Sequence, residues 1–327
     1  MAKRERVMGV KNLPDLSVVI VTYKSEDFIS RCIGSIYQAA QGLTLEIIIV
    51  DNGSEDNILD VVRAQFPDAI MIKNRRNEGF ARGVNQGVNS ATGRYLCILN
   101  PDTELSPGAL RILLDFLEKY AADCVVGPRT VDEFGKPQPI CRSLPHIINI
   151  IKYPISLLLR GRRLKKPRRF LLDIWNQSET IDPIKYNGYI TGACLVTRLD
   201  FFKKMGGFDE RYFLYFEDAD FGQRIARRGY HAFLISEASM THFAGKSAYH
   251  NPLTKRYFVE AYLHYIQKHF SFSHRVVYKT CLFFIVVGWT LRTWLRGDGN
   301  QVGILLESLK SFNPYWPDHY VLPPKTS

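Results

Sequence analysis

Two carboxylates stand directly after short apolar runs, where they could bind a ligand. Asp51 follows the run 46–50 and begins an Asp-Asn-Gly-Ser segment, and Asp102 ends an Asn-Pro-Asp tripeptide. Asp-Asn-Gly is a strong turn signal, so a turn explains Asp51 equally well. As a ligand, Asp51 would accept a hydrogen bond from a pyrimidine N–H or a ribose hydroxyl. Asp102 offers oxygens that hard divalent cations prefer, and such a cation can neutralise a departing diphosphate.

An acidic cluster, Glu217-Asp218-Ala219-Asp220, follows the mostly apolar segment 212–216 at the start of a predicted helix. Acids in a first helical turn are common and stabilise the helix by roughly 0.3–1 kcal/mol. Three carboxylates behind an apolar segment exceed that need. Because the helix dipole favours the anion, one of them could remain ionised as a general base.

His242 lies in the segment Thr-His-Phe-Ala-Gly-Lys-Ser. A lone histidine is more often structural than a ligand, and we expect a structural role for His231 and His264. For His242, the glycine and serine that follow suit a loop that approaches phosphate oxygens. Its neutral imidazole is also a suitable metal ligand.

The segment 77–87 carries a glycine at every fourth position. This spacing differs from the GxGxxG dinucleotide fingerprint, and the chain has no P-loop lysine motif. Both observations argue against a dehydrogenase or a kinase.

The elements that would position these residues alternate between strand and helix. Residues 17–21 and 46–50 are β-branched apolar runs, and residues 26–41 between them have apolar side chains at helical spacing, which predicts a βαβ unit. Further helices are predicted at 56–64, 81–90 and 107–120, the last with Ser106 as N-cap, and further strands at 70–72 and 94–99. The first 130 residues are therefore predicted to form a doubly wound α/β sheet. Ligands of such sheets bind at the carboxyl ends of the strands, where Thr22-Tyr23, Asp51 and 100–102 then lie.

The amino-acid composition changes beyond residue 144. Residues 147–159 are mostly apolar, and residues 160–169 hold seven basic side chains. Residues 190–196 predict a strand, 206–209 a turn and 218–228 a helix, and beyond His242 the chain is predicted to be helical and aromatic.

Five segments, in order over residues 17–250, resemble the family-2 glycosyltransferases, which have the GT-A fold, and in particular their bacterial rhamnosyltransferase-like branch. These are VVIVTYKSEDFISRCIGSI; VDNGSED; NEGFARGVNQGV followed by LNPDTEL; TGACLVTR with GGFDERYFLYFEDADFGQRIARRGY; and THFAGKS. The resemblance implies an α/β, Rossmann-like and mostly parallel sheet flanked by helices. We expect a GT-A domain over 1–250, with a nucleotide-binding half at about 15–130, a basic and apolar insert at about 144–170 and an acceptor-binding half at about 185–250. A helical extension, which could be membrane-associated, is expected over 251–327.

The resemblance also implies roles for single residues. Asp102 matches the last position of a DxD-type motif that holds Mg²⁺ or Mn²⁺ on the diphosphate, and His242 matches a position that can complete the coordination. The first DxD position is the neutral Asn100, which leaves fewer acidic ligands. Asp218 matches the catalytic base, and the acceptor and sugar pocket would contain Gly192, Glu217 and Asp218. The residues expected to contact the nucleotide sugar are Thr22, Tyr23, Asp51, Asn77, Gly79, Asn100 and Asp102.

The activity implied is inverting transfer of a sugar, L-rhamnose from dTDP-rhamnose by the branch resemblance, to a hydroxyl of a glycan or polyprenyl-diphosphate-linked acceptor in cell-surface polysaccharide synthesis. A UDP- or GDP-sugar donor and a non-catalytic, nucleotide-sugar-binding scaffold are the alternatives. A sugar-nucleotide-forming enzyme would carry a glycine-rich loop after the first strand, and a polymerising synthase would carry a QxxRW-like motif; neither is present.

A formal net charge of +11 favours an anionic partner. Basic residues interleaved with exposed aromatics, or a reading motif, would indicate nucleic acid, and we find neither. An anionic membrane surface is expected instead, with the basic run 160–169 as anchor. The six cysteines form no CxxC pair, so we expect reduced thiols. The first apolar run is too short for a signal peptide, so we expect a cytoplasmic protein, peripheral on the inner face of the membrane. The apolar stretch 276–295 contains only about a dozen residues between Lys279 and Arg292, short of the roughly 20 that span a bilayer.

Overall fold

The computed structural model describes residues 13–120, 123–144, 184–186, 188–243, 253–295, 297 and 299–310. The apolar stretch 147–159, the basic run 160–169 and the expected domain boundary at 250 lie outside the described residues. The strands are β1 (Leu16–Thr22), β2 (Leu45–Asp51), β3 (Ile70–Lys73), β4 (Tyr95–Leu99), β5 (Thr103–Leu105), β6 (Cys124–Val131), β7 (Pro137–Gln138), β8 (Cys141–Ser143), β9 (Ile184–Tyr186), β10 (Gly188–Ile190), β11 (Cys194–Arg198) and β12 (His231–His242). The helices are α1 (Glu26–Ala39), α2 (Ile58–Gln65), α3 (Phe80–Ser90), α4 (Ala109–Tyr120), α5 (Leu199–Lys204), α6 (Glu217–Arg227), α7 (Thr254–His269), α8 (Phe272–Trp294) and α9 (Gly299–Lys310).

The first half of the main sheet is parallel, in the order β3-β2-β1-β4. The chain winds outward from β1 to β3 and then returns to the other side of β1 for β4, which makes a topological switch point where ligands bind in such sheets. Thr22 lies opposite Asp51, and Ile20 lies opposite Leu99. Asn100 and Pro101 therefore follow at the level of the end of β1, as the sequence predicted.

The second half of the sheet is mixed. β11 runs antiparallel to both β4 and β6, whereas β12 is parallel to β6 and antiparallel to β5. The single strand predicted at 190–196 is two strands in two sheets, because β10 pairs with β8 and β11 pairs with β4. The turn Thr191-Gly192-Ala193 between them redirects the chain.

Four helix starts differ from the sequence prediction by one or two residues, since α2 begins at Ile58, α3 begins at Phe80, and α4 and α6 also shift. α4 begins at Ala109 and not at Pro107, since Gly108 has a φ of +75° and Ser106 bonds the hydroxyl of Ser239. α6 begins one residue earlier than predicted, at Glu217. Two of the glycines spaced by four, Gly83 and Gly87, lie on the face of α3 against β1, where a Cβ on Gly87 would approach Val19 Cγ1 to 2.4 Å. They allow close contact between helix and sheet.

All six cysteines are free thiols, as expected, and Cys281 alone among them is not buried. Burial in apolar surroundings raises the pKa of Cys124 and Cys141 to about 12. These thiols are therefore protonated and unreactive at neutral pH.

The C-terminal helices have a hydrophobic core of their own, in which Leu282 and Val286 of α8 pack with Val259 and Ile266 of α7. α8 continues through Lys279 and Arg292 for 23 residues, with a mean hydropathy of 1.3 and 28% of its most apolar window buried. The sequence had predicted a stretch too short to cross a bilayer. By length and composition this helix is long enough, because a helix tolerates a basic residue near each end that can extend toward the headgroups.

Candidate functional site

The ends of β1 and β2 meet through Asp51. Its carboxylate accepts the Ser54 N–H at 3.2 and 3.3 Å and lies 3.5 Å from the Thr22 hydroxyl. Asp51 has no exposed surface, whereas Tyr23 is 36% exposed. The structure therefore places Asp51 in the turn, one of the two roles that the sequence left open. Tyr23 is the more exposed of these two residues.

The Asn77–Gly79 loop joins this corner to the segment before α6. Asn77 Oδ1 accepts the Gly79 N–H at 2.9 Å, and Asn52 Nδ2 donates to the Gly79 carbonyl at 3.0 Å. Gly79 has a φ of +89°, and a Cβ there would lie 2.6 Å from the Phe213 carbonyl. That carbonyl accepts the Phe80 N–H at 2.7 Å. Glycine is required at this position by both conformation and space.

Asp102 and His242 lie side by side, as predicted, because β12 pairs with β5 with His242 opposite Thr103. His242 Nε2 is 3.4 Å from Asp102 Oδ1, and both side chains are largely buried. Gln138 fixes the imidazole: its Nε2 donates to the His242 carbonyl at 2.9 Å, so its Oε1 accepts from His242 Nδ1 at 3.2 Å. In the neutral ring this leaves the Nε2 lone pair facing a carboxylate oxygen.

Two acceptors that face each other at this distance suit a cation between or beside them. Adjacent ligands of an octahedral Mg²⁺, each about 2.1 Å from the ion, lie roughly 3 Å apart, which Asp102 and His242 approach. Within the part of the chain that is described, no third His, Cys, Asp or Glu joins them. Mg²⁺ commonly takes one or two protein ligands plus substrate phosphates, so the pair fits a metal held jointly with a diphosphate.

Asp218 reaches the same edge of the sheet through the β10–β11 turn. Its Oδ2 accepts the Gly192 N–H at 3.2 Å, and the next residue, Ala193, accepts the Asn100 N–H at 3.0 Å. Two residues beyond Asn100 is Asp102. Two hydrogen bonds and a few residues of backbone therefore join the carboxylates of Asp102 and Asp218. The connection passes through Gly192 and Asn100, which are both predicted site residues.

The adjacent carboxyls Glu217 and Asp218 differ in their surroundings. Glu217 is 5% exposed, and its Oε2 has no hydrogen-bond partner among the described residues. Burial and the charge of Asp218 raise the pKa of Glu217 well above its usual value. Burial also raises the pKa of Asp218, but the Arg142 charge and the N–H groups of Gly192 and Ala219 oppose it. Asp218 therefore ionises first, and Glu217 remains neutral beside it.

Strained backbone precedes this pair. Tyr215 and Phe216 have φ of +74° and +67°, a region that bulky side chains rarely adopt. Such residues cost about 1–3 kcal/mol each and persist where the surrounding structure holds them, often at functional sites. Here Phe216 packs on Tyr262 and Tyr265 of α7, with ring centroids 5.1 and 5.6 Å away.

Two residues that act on the site were missed by the sequence analysis. Gln138 reaches His242 because β7 pairs with β6, which in turn pairs with β12. Arg142 lies opposite Tyr189 in the β8–β10 ladder, near Asp218. Neither belongs to a motif, so only strand pairing could have found them.

Comparison with known proteins addresses the family and the fold of this chain. The sequence model of the family described as "Glycosyl transferase family 2" matches residues 17–176. N-acetylglucosaminyl-diphospho-decaprenol L-rhamnosyltransferase of Mycobacterium tuberculosis is 26% identical over 258 residues, which cover 72% of this chain and 78% of the relative. These matches support a family-2 glycosyltransferase. Within the family it is rhamnosyltransferase-like, as the sequence predicted.

Other relatives support the family and the fold. The low-salt glycan biosynthesis hexosyltransferase Agl10 of Haloferax volcanii is 25% identical over 66% of this chain and 62% of its own length. A Pyrobaculum calidifontis mannosyltransferase, solved with GDP-Man and Mn²⁺, superposes with a TM-score of 0.52 and 16% identity, over 92% of this chain and 75% of that one. Residues 1–349 of Staphylococcus aureus TarS, solved with UDP-GlcNAc, give a TM-score of 0.51 and 16% identity, over 91% of this chain and 81% of that one. The fold of this glycosyltransferase is therefore GT-A.

Replacing Arg142 with Gln tests the electrostatics of Asp218. The charged groups and acids around Asp218 are Arg142, Glu217 and Tyr189. Removing the Arg142 charge raises the pKa of Asp218 further, so the acid limb of log kcat/KM against pH moves to higher pH. Arg142→Lys keeps the charge and should keep the limb in place. If the acid limb of the pH profile does not move in Arg142→Gln, the charge of Arg142 does not affect the pKa of Asp218.

Replacing Gln138 with Leu tests the fit of the metal pair. Without the acceptor at Nδ1, the imidazole of His242 is free to change tautomer and orientation. Loss of such a supporting partner typically weakens metal affinity by about 10–100-fold. We expect the Mn²⁺ concentration for half-maximal activity to rise accordingly, while activity at saturating Mn²⁺ is retained. Equal Mn²⁺ dependence in variant and wild type would show that Gln138 does not orient a ligand.

Proposed function

We propose that this glycosyltransferase moves a sugar from a nucleoside diphosphate donor to an acceptor hydroxyl by a single inverting displacement. The observation that carries the proposal is the convergence of the Asp102–His242 acceptor pair and the Asp218 carboxylate at one edge of the sheet. The Asp102–His242 pair suits a diphosphate and its cation, and the Asp218 carboxylate suits a base.

Asp218 would accept the proton of the acceptor hydroxyl as its oxygen forms a bond to the anomeric carbon. The bond from that carbon to the diphosphate breaks on the opposite face, and its electron pair leaves with the diphosphate. Asp102 and His242 would hold Mg²⁺ or Mn²⁺, whose charge stabilises the leaving group. Glu217, kept neutral by burial, has a carboxyl O–H that can donate to a sugar or acceptor oxygen. Positioning and charge stabilisation then supply most of the acceleration.

The donor we propose first is dTDP-L-rhamnose. Its support is the similarity to the mycobacterial L-rhamnosyltransferase. A UDP- or GDP-sugar is the alternative donor, since structures of the same fold were solved with UDP-GlcNAc and GDP-Man. Thr22, Tyr23, Asp51, Asn77 and Gly79 form the corner in which we place the nucleotide.

Asp218→Asn tests the assignment of the base. The isosteric amide cannot accept the proton, so kcat should fall by about 10²- to 10⁴-fold, while donor affinity measured by calorimetry stays near that of wild type. Asp115→Asn, an exposed change on α4, is the matched control. The assay screens dTDP-, UDP- and GDP-sugars for Mn²⁺-dependent release of nucleoside diphosphate. Donor binding with no turnover by the wild type for any of them would favour the scaffold alternative.

For the acceptor, we propose a polyprenyl-diphosphate-linked glycan presented at the inner face of the cytoplasmic membrane. The name of the mycobacterial relative includes such an acceptor. One side of α8 is apolar and exposed, with side chains that recur at intervals of seven residues: Val276, Val277, Phe283, Phe284 and Leu291. α8 connects to the site through other aromatic contacts, since Phe258 packs on Phe216 at 5.4 Å and on Trp289 of α8 at 6.4 Å.

Phe284→Glu combined with Leu291→Glu tests membrane attachment. Both side chains are more than half exposed, so the fold should tolerate the change. Removing two apolar insertions and adding two negative charges should weaken binding to phosphatidylglycerol vesicles by about 10-fold or more. Tyr37→Glu on α1, also half exposed, is the control and should bind as wild type does. Equal vesicle sedimentation of all three proteins would refute the role of α8.

A further inference from the structure

A buried cluster of charges, which we name the α6–α7 ion cluster, lies beside the proposed base. It consists of Asp209, Asp220, Arg224, Lys268 and His269. Asp220, two residues after Asp218, is fully buried. Its carboxylate meets Arg224 Nε at 2.8 Å, Lys268 Nζ at 2.6 Å and His269 Nε2 at 2.7 Å.

Lys268 joins three segments that are distant in sequence. Its ammonium group lies 2.6 Å from Asp220 on α6 and 2.6 Å from Asp209 in the glycine turn before α6, while its own backbone belongs to α7. Arg224 extends the same connection, because its guanidinium donates to the carbonyls of Met205 and Gly207 in that turn. The helix that carries the base is thus held from two sides by charge-assisted hydrogen bonds.

Both carboxylates of the cluster are ionised. Burial alone would raise the pKa of Asp220, but the hydrogen bond from His269, the charge of Arg224 and the contact with Lys268 lower it below the usual value. Burial acts the same way on Asp209, but the nearby imidazole of His264 and the hydrogen bonds from Arg211 and Lys268 lower its pKa. Buried ions with satisfied partners permit few alternative arrangements, because any shift leaves a charge without its partner.

The cluster meets the base at the first turn of α6. Asp218 keeps its hydrogen bonds to Gly192 and Ala219 only if that turn stays where it is. The left-handed backbone at Tyr215 and Phe216 stores strain directly before it, so the turn needs support from its neighbours. α7 supplies that support twice, through aromatic packing on Phe216 and through Lys268.

We propose that Lys268 is a positioning residue for the transfer reaction, which fixes the first turn of α6 so that Asp218 faces the acceptor. The proposal rests on the proposed function of Asp218. Lys268 reaches Asp218 only through Asp220 and the helix backbone, so it orients the base and takes no part in the proton transfer.

Lys268→Met is the test. A misplacement of about 1 Å at a reacting group costs on the order of 100-fold, so we expect kcat to fall by about 10- to 100-fold with little change in donor KM. Lys268→Arg retains the charge and should recover most of the activity. Arg256→Met is the matched control, because Arg256 of the same helix pairs with Glu260 within α7, and its kcat should equal that of wild type.

A second readout does not depend on turnover. Carboxyl NMR titration of Asp218, identified by its absence in Asp218→Asn, should give a higher pKa in Lys268→Met, since the N–H groups of Gly192 and Ala219 then fit the carboxylate less well. Arg142, Glu217 and Tyr189 surround Asp218 in both proteins. Failure of the wild type to turn over any donor would remove the proposed function, whereas the titration still decides whether Lys268 orients Asp218.

A double variant serves as the control for a failure of Lys268→Met to fold. If Lys268→Met does not fold, Asp209→Asn with Lys268→Met removes one charge of each sign and leaves Asp220 with Arg224 and His269. In whichever variant has a cooperative thermal transition, a lower kcat with unchanged KM and a raised Asp218 titration supports the proposal. A folded variant with the kcat and titration of the wild type overturns it.

Discussion

The site depends on one constraint, the turn between β10 and β11, where two hydrogen bonds connect the halves of the molecule. The Gly192 N–H binds Asp218, and the neighbouring Ala193 carbonyl binds the Asn100 N–H. Antiparallel pairing of β11 with β4 fixes this turn beside the end of β4. Gly192 leaves no room for a larger residue, since a Cβ there would lie 2.8 Å from the Phe80 ring. Asp218 and the Asp102–His242 pair are neighbours because the backbone between them has little freedom.

The acidic side chains near this turn differ in their pKa because their partners differ, and not because of their residue type. Asp220 and Asp209 are ionised because cations surround them, whereas Glu217 is neutral because burial leaves it without a partner. Asp218 lies between these extremes, with burial opposed by two backbone N–H groups and Arg142. Groups whose environments separate their pKa values can take different roles in one site at the same pH. In the proposed transfer, Asp218 is the group that ionises first and accepts the proton of the hydroxyl.

The C-terminal helices α7 and α8 help to hold the site in place. α7 holds the first turn of α6 through Lys268 and its aromatic residues, and α8 shares a hydrophobic core with α7. The apolar surface of α8 is thus joined by packed side chains to the residue we propose as base. Rigid packing of this kind keeps the orientation of the site constant relative to the surface that we propose contacts the membrane.

Much of the fold follows from local pattern. The apolar periodicity of the first 130 residues predicted the alternating strands and helices, because burial of one face imposes that spacing whatever the element packs against. The family resemblance implied that Asp102 and His242 meet, and strand pairing brings them to 3.4 Å. The turn signal at Asp51 was equally informative: the carboxylate is buried in the turn.

Partners that are distant in sequence were decided by the tertiary structure alone. Gln138, Arg142 and Lys268 lie in no motif, and each reaches the site through a strand ladder or a helix–helix contact. The division of residues 190–196 between two sheets and the charge states of the acids likewise depend on neighbours that the local sequence does not specify. By itself, the sequence determined most of the elements of the first 120 residues, the strand ends where polar residues collect, and the resemblance to a family. Only the folded chain decided which side chains surround each carboxylate, because burial and electrostatic environment are properties of contacts between distant segments.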